Sequence, residues 1–261
     1  MTETSEITVG QQRRLLLFGD SIAMGLGVRR RKYGQIVADE LGYELVDYSH
    51  TGWTVSQSKS AYEQSPASGD IALIAHGVTE PILRPHLPLW LPLPRRWRRL
   101  GWMDPRPYYS TRARRRLFER VESEVRWRTK NFLGFAFGSY QLASVDQYRD
   151  DLAALTHACE QNGAIVVIVG APDIDDRFFP GSVYEQLRYS RAAEEVAQGK
   201  FVAVAGLLDR WSDYLLDHFH PNDQGHESIA RLILKRPEIL KKAGQNPAPE
   251  TKEHETRTRE T

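Results

Sequence analysis

The apolar positions of this chain fall into short strand-like runs separated by longer stretches of helical spacing. Leu15-Leu16-Leu17-Phe18 is the first run, and residues 70–75, 164–169 and 201–205 follow, while 43–48, with Glu44 and Asp47 among its apolar residues, reads as a further strand. Apolar residues without polar alternation fit strands buried on both faces, as in a parallel sheet. Between the runs, apolar side chains recur every three or four positions over Tyr33–Leu41, Val145–Gln161, 183–198 and 227–234. That is the spacing of amphipathic helices. The alternation predicts an α/β fold with a mainly parallel sheet and helices on both faces.

The rhythm breaks between residues 81 and 142. Proline is so dense over 81–94 that neither a regular helix nor a central strand is expected there. Helical spacing returns at about 111–130. The polar residues 1–12 predict a flexible start. The stretch 243–261 has no apolar face and predicts a disordered tail. One domain over 13–242, carrying an insertion at 81–142, accounts for the whole pattern.

Composition adds three bounds. With 261 residues and 41% hydrophobic content, the chain is long enough for one full core. A net charge of +1 gives no general pull toward nucleic acid or membrane. The single cysteine, Cys159, precludes an internal disulfide. With no signal-peptide pattern and no apolar run long enough to span a bilayer, the reading is cytoplasmic. The oligomeric state stays open.

The small net charge conceals a segregated one. Residues 84–130 hold 14 basic against four acidic side chains, interleaved with Trp90, Trp97, Trp102, Tyr108, Tyr109 and Trp127. Three readings compete for this insertion. It is a solvated helix whose arginines pair with acids of the main domain, or a lid or wall over the site whose arginines hold an anionic group. The third is a patch on a membrane surface, with membrane contact less favoured. No nucleic-acid partner is expected, because no recognised module accompanies the patch.

Candidate chemistry lies at the carboxyl ends of the runs, the edge where open α/β sheets bind ligands. Gly19-Asp20-Ser21 ends the first run, and Asp20 or Ser21 there either caps a helix or carries chemistry. Asp217-His218-Phe219-His220, just before the last helix, sets an acid three residues ahead of a histidine. A serine becomes a nucleophile when a base takes its proton and a carboxylate orients that base. Ser21, His220 and Asp217 would fill these roles. Three histidines, 218, 220 and 226, raise a zinc alternative, but their spacings match no common ligand motif. Asp173, Asp175 and Asp176 read as loop or cap residues rather than a metal site. No metal or cofactor is expected.

Two of these blocks, Gly19-Asp20-Ser21 and Asp217-x-x-His220, make the chain resemble the SGNH (GDSL-type) hydrolases over roughly 13–80 and 146–237. The resemblance implies a three-layer α/β/α flavodoxin-like fold and an acyl-serine mechanism on a small-molecule or glycan acyl ester. It also implies an oxyanion site built from the Ser21 and Gly52 N–H groups, with Thr51-Gly52-Trp53-Thr54 as the second block. The third block, Gly77-Val78-Thr79-Glu80, departs from the family. Thr79 stands where an asparagine would donate to the oxyanion, and Glu80 replaces an aspartate and is expected to hold its loop or pair with an arginine. A serine esterase is the leading expectation. An O-acyltransferase with the same triad and a non-catalytic binding protein are the alternatives.

Overall fold

The computed structural model describes residues 12–86, 89, 92–99 and 101–244. The expected flexible start, residue 12 apart, and the expected tail beyond residue 244 lie outside these. So do Leu87, Pro88, Trp90, Leu91 and Leu100.

Five parallel strands form the central sheet in the order β2-β1-β3-β6-β7. They are β1 (Arg14–Gly19), β2 (Glu44–Ser49), β3 (Ile71–Ala75), β6 (Ile165–Val169) and β7 (Phe201–Val202). A separate antiparallel pair joins β4 (Arg84–Pro85) to β5 (Ser139–Tyr140) at the two roots of the insertion.

The run Leu15-Leu16-Leu17-Phe18 is fully buried because alternate side chains enter two different cores. Leu15 and Leu17 join Ile71, Leu73, Val167 and Val169 on one face. That face is covered by α2 (Tyr33–Leu41), α7 (Asp223–Leu234) and α8 (Pro237–Ala243). Leu16 and Phe18 join Ala72, Ile74, Val166 and Ile168 on the other. There α3 (Val55–Gln64), α5 (Val145–Gln161) and α6 (Ser182–Ala197) close the layer. The result is the expected three-layer α/β/α fold.

Chain direction across the sheet reverses at β1 and β3, which makes their carboxyl ends the switch point where such sheets open a crevice. Gly19 permits this junction. A Cβ there would stand 2.4 Å from the Ala23 Cβ and 2.6 Å from the Ala75 carbonyl oxygen.

Three boundaries differ from the sequence expectation. The last strand stops at Val202 rather than 205, because β6 ends at Val169 and offers no further partner. The insertion helix α4 runs from Ala113 to Phe137, well past 130, and ends where Gly138 takes a φ of 83°. The helix expected at 227–234 begins at Asp223, because the Asn222 side chain accepts from the Gln224 and Gly225 N–H groups and caps it.

Candidate active site

Asp20 and Ser21 stand where β1 gives way to the short helix α1 (Ser21–Met24). The Asp20 carboxylate caps that helix, accepting from the Ile22 N–H at 2.9 Å. Its second oxygen accepts from the Thr79 hydroxyl at 3.1 Å, and burial pushes its carboxyl above the usual range. Asp20 is therefore the capping residue, which leaves the adjacent serine hydroxyl free to face the crevice.

The structure brings Ser21, His220 and Asp217 together from opposite ends of the chain. His220 Nε2 lies 2.9 Å from Ser21 Oγ, and His220 Nδ1 lies 2.6 Å from Asp217 Oδ2. The other Asp217 oxygen accepts from the Phe219 N–H at 3.1 Å and the His220 N–H at 3.0 Å. The carboxylate is 1% exposed and its orientation is fixed by three hydrogen bonds. His218 adopts a φ of 49°, so the Asp217–His220 stretch is tightly wound. Left-handed backbone at a non-glycine residue is uncommon and marks a constrained turn.

A cavity of about 290 Å³ opens over Ser21 and His220. One side is made by Thr51, Gly52 and Thr79 from the loops after β2 and β3. The opposite wall comes from the insertion, through Arg99, Trp102, Asp104, Pro105 and Pro107, with Arg84 at its root. Neither the Ser21 nor the Gly52 N–H has a hydrogen-bond acceptor among the described residues. Gly52 takes a φ of 75°, a conformation that favours glycine. The Thr79 hydroxyl has one proton, and in this arrangement it is directed at Asp20.

Glu80, fully buried, accepts from the Val55 N–H at 2.9 Å and the Gly77 N–H at 3.2 Å. It so ties the first turn of α3, three residues after Gly52, to the loop that carries Thr79. Glu80 thus holds its loop and forms no ion pair with an arginine among the described residues. Burial, with Asp20 nearby, pushes its carboxyl up to about 7. Beside it, His76 Nε2 meets the Ser58 hydroxyl at 2.9 Å, and burial pushes the imidazole down to about 3. Nothing in the sequence marks this pair beyond the altered third block.

The remaining titratable candidates take structural positions. His226 Nδ1 accepts from the Tyr33 N–H at 3.1 Å, and its ring stacks on Tyr33. His50 stacks on Trp53 outside the cavity. Asp173, Asp175 and Asp176 accept from the backbone N–H groups of Gly206, Arg177 and Gly181.

The insertion differs from expectation in how its charges pair. Arg96 and Arg106 meet Glu122 at 2.7 and 3.1 Å, Arg115 meets Glu119 at 3.0 Å, and Lys130 meets Asp104 at 2.6 Å. These acids belong to the insertion itself rather than to the main domain. Residues 95–99 and 101–106 fold back on α4, which brings Arg96, Arg106 and Asp104 to their partners there. Arg106 and the buried Arg126 also lie over the Trp102 ring, at 5.7 and 5.3 Å. They brace the tryptophan that walls the cavity. Of Arg95, Arg96, Arg98 and Arg99, only Arg99 lines it.

Residues 17–227 match the model of the GDSL-like lipase/acylhydrolase family. Among solved structures, a lipase/acylhydrolase from Enterococcus faecalis superposes with a TM-score of 0.54 at 13% identity, covering 91% of this chain and 99% of that one. An acetylxylan esterase from Geobacillus stearothermophilus gives 0.52 at 17% identity, covering 89% and 96%. An α/β hydrolase from the metagenome of Lake Arreo, Spain, gives 0.52 at 15% identity, covering 89% and 95%. No curated protein sequence matches this chain.

Proposed function

The chain belongs to the GDSL-like lipase/acylhydrolase family, and from that premise we propose that it is a serine esterase whose nucleophile is Ser21. The observation that carries this reading is the continuous contact from Ser21 Oγ through His220 to a buried, three-times-bonded Asp217. In the proposed reaction His220 Nε2 takes the Ser21 proton as Oγ attacks the ester carbonyl. Asp217 holds the imidazole with its Nδ1 proton inward and stabilises the imidazolium. The negative charge that develops on the carbonyl oxygen falls to the free Ser21 and Gly52 N–H groups. The leaving alkoxide takes the proton from His220. Water, deprotonated by the same nitrogen, then releases the acid from Ser21. Thr79 would join the oxyanion site only by turning its hydroxyl away from Asp20, and its support of Asp20 is the role favoured here.

The same reading extends to the substrate, an O-acyl ester that carries an anionic group. Arg84 and Arg99 both line the cavity. Arg84 is 5% exposed, donates to the Thr79 and Ile82 carbonyls at 2.8 Å each, and has no ion-pair partner among the described residues. Asp104 on the same wall is neutralised by Lys130 at 2.6 Å. A buried cation without a carboxylate of its own favours a ligand that supplies one.

The test is kcat/KM on paired acetyl esters that differ only in a carboxylate or phosphate remote from the ester. The anionic member is expected to be favoured by about tenfold, an advantage that Arg99→Gln reduces. Ser21→Ala abolishes turnover of both. Equal turnover of the pair would remove the anionic specificity. Faster turnover with an added sugar hydroxyl than with water would turn the reading into acyl transfer by the same serine.

A further inference from the structure

Helix α4 has its polarity reversed. Its buried side carries Glu119, Ser123, Arg126, Trp127 and Lys130, while Leu117, Phe118, Val121, Val125, Phe132 and Phe135 are 49–92% exposed. The exposed six recur at steps of three, four and seven residues along the helix, so they form one stripe opposite the buried side. From residue 117 to 135 the stripe is about 27 Å long. Isolated exposed apolar residues are ordinary, but a contiguous stripe of this kind marks a surface that meets something.

The charges around the stripe indicate what. The helix holds seven basic and three acidic side chains. Glu119 and Glu122 are turned inward to Arg106, Arg115 and Arg96, and Glu124 is held by Arg128. Arg114 and, on the flank, Arg120 are exposed and have no ion-pair partner among the described residues. Arg114 and Arg128 lie within the stripe itself. A second copy of the chain would suit the apolar residues alone. In a two-fold pair, however, the same patch meets itself, and these arginines would face further arginines. A layer of phosphate headgroups over acyl chains suits both the arginines and the phenylalanines.

We propose that this face of α4 docks the protein on an anionic lipid surface. Docking is peripheral: among the described residues, no helix is long and apolar enough to cross a membrane. The inner side of the same helix reaches the catalytic cavity. Trp127 packs edge-on against Phe178 at 5.2 Å, and the Lys130 ammonium lies 4.3 Å from the ring of Phe179, which lines the cavity. The docking does not depend on the acyl chemistry, so either can fail alone.

The test is sedimentation of the full chain with vesicles of phosphatidylcholine alone, and with vesicles in which about a third of the lipid is phosphatidylglycerol. Binding to the anionic vesicles is expected to be at least about tenfold tighter, and to weaken as salt screens the arginines. The double variant Phe132→Asp, Phe135→Asp should lose about tenfold or more of that binding. Its thermal midpoint should stay at the wild-type value, because both side chains are exposed. Equal binding to the two vesicle types, or none to either, overturns the proposal. So does a concentration-dependent dimer that the double variant dissociates and anionic vesicles do not.

Discussion

Replacing Glu80 by Gln is expected to change stability with a sign that depends on pH. Burial raises the Glu80 carboxyl from the usual 4.5 to about 7. Between those values the folded chain keeps a proton that the unfolded chain has lost. Stability from this group is thus fully present below the unfolded value and is lost as pH rises through the folded one. A shift of about 2.5 units corresponds to about 3 kcal/mol. Glutamine does not titrate. It keeps one acceptor for the Val55 or Gly77 N–H but sets an amide donor against the other, at a cost of about 1–3 kcal/mol. At about pH 5, where the wild-type side chain is protonated, Glu80→Gln should destabilise by about 1 kcal/mol. At about pH 8 the comparison moves about 3 kcal/mol in favour of glutamine, which makes the variant the more stable protein. Urea unfolding of both proteins at the two pH values measures this directly. His76, whose Nδ1 lies 3.7 Å from Glu80 Oε1, is pushed down to about 3 by burial and so stays neutral in the folded wild type at both pH values. A cost of substitution that is the same at both pH values, or larger at the higher one, would rule out a raised Glu80 carboxyl. It would mean that the two N–H groups hold a carboxylate more strongly than burial disfavours it.

Two substitutions separate the roles assigned around Ser21. Asp217→Asn keeps the shape and an acceptor for the Phe219 and His220 N–H groups but sets an amide donor against His220 Nδ1–H. It should lower kcat by about 10³–10⁴-fold with little change in KM, read from initial rates on a soluble acetyl ester. Thr79→Val removes the donor to Asp20 and should destabilise by about 1–3 kcal/mol in urea unfolding. Its kcat should fall less than about tenfold; a loss of about 10²-fold or more would assign its hydroxyl to the oxyanion instead.

The layers were legible in the sequence where burial is uniform. Leu15–Phe18 and 165–169 are apolar on both faces because both faces are covered, and no other element type suits so short a run. Elements held by capping were less visible. The helix Val55–Gln64 was not expected, since Val-Ser-Gln-Ser-Lys-Ser has no apolar stripe. Its signal was the capping box formed by Thr54 and Gln57. The start of α7 was likewise hidden, because Asn222 acts as a cap and Gly225 as a close contact rather than as part of an apolar stripe.

Ser21, Asp217 and His220 were legible as candidates because their order and spacing follow from where strands end. The wall opposite them was legible only as one of three readings of the insertion, because which residues form it depends on how 95–99 and 101–106 fold back on α4. Neither proline density nor charge states that geometry. The outward apolar side of α4 was hidden for a related reason. Helical spacing shows that a stripe exists, and only the packing of Trp127 and Arg126 shows which side is turned in.

Everything proposed for the site rests on activation of Ser21 by His220. Intact-mass analysis after incubation with a fluorophosphonate tests it most directly, comparing wild type with Ser21→Ala and His220→Ala. A single adduct is expected on the wild type and none on either variant, all three remaining folded by circular dichroism. A wild type that takes up no label, or an adduct that persists in Ser21→Ala, would contradict it.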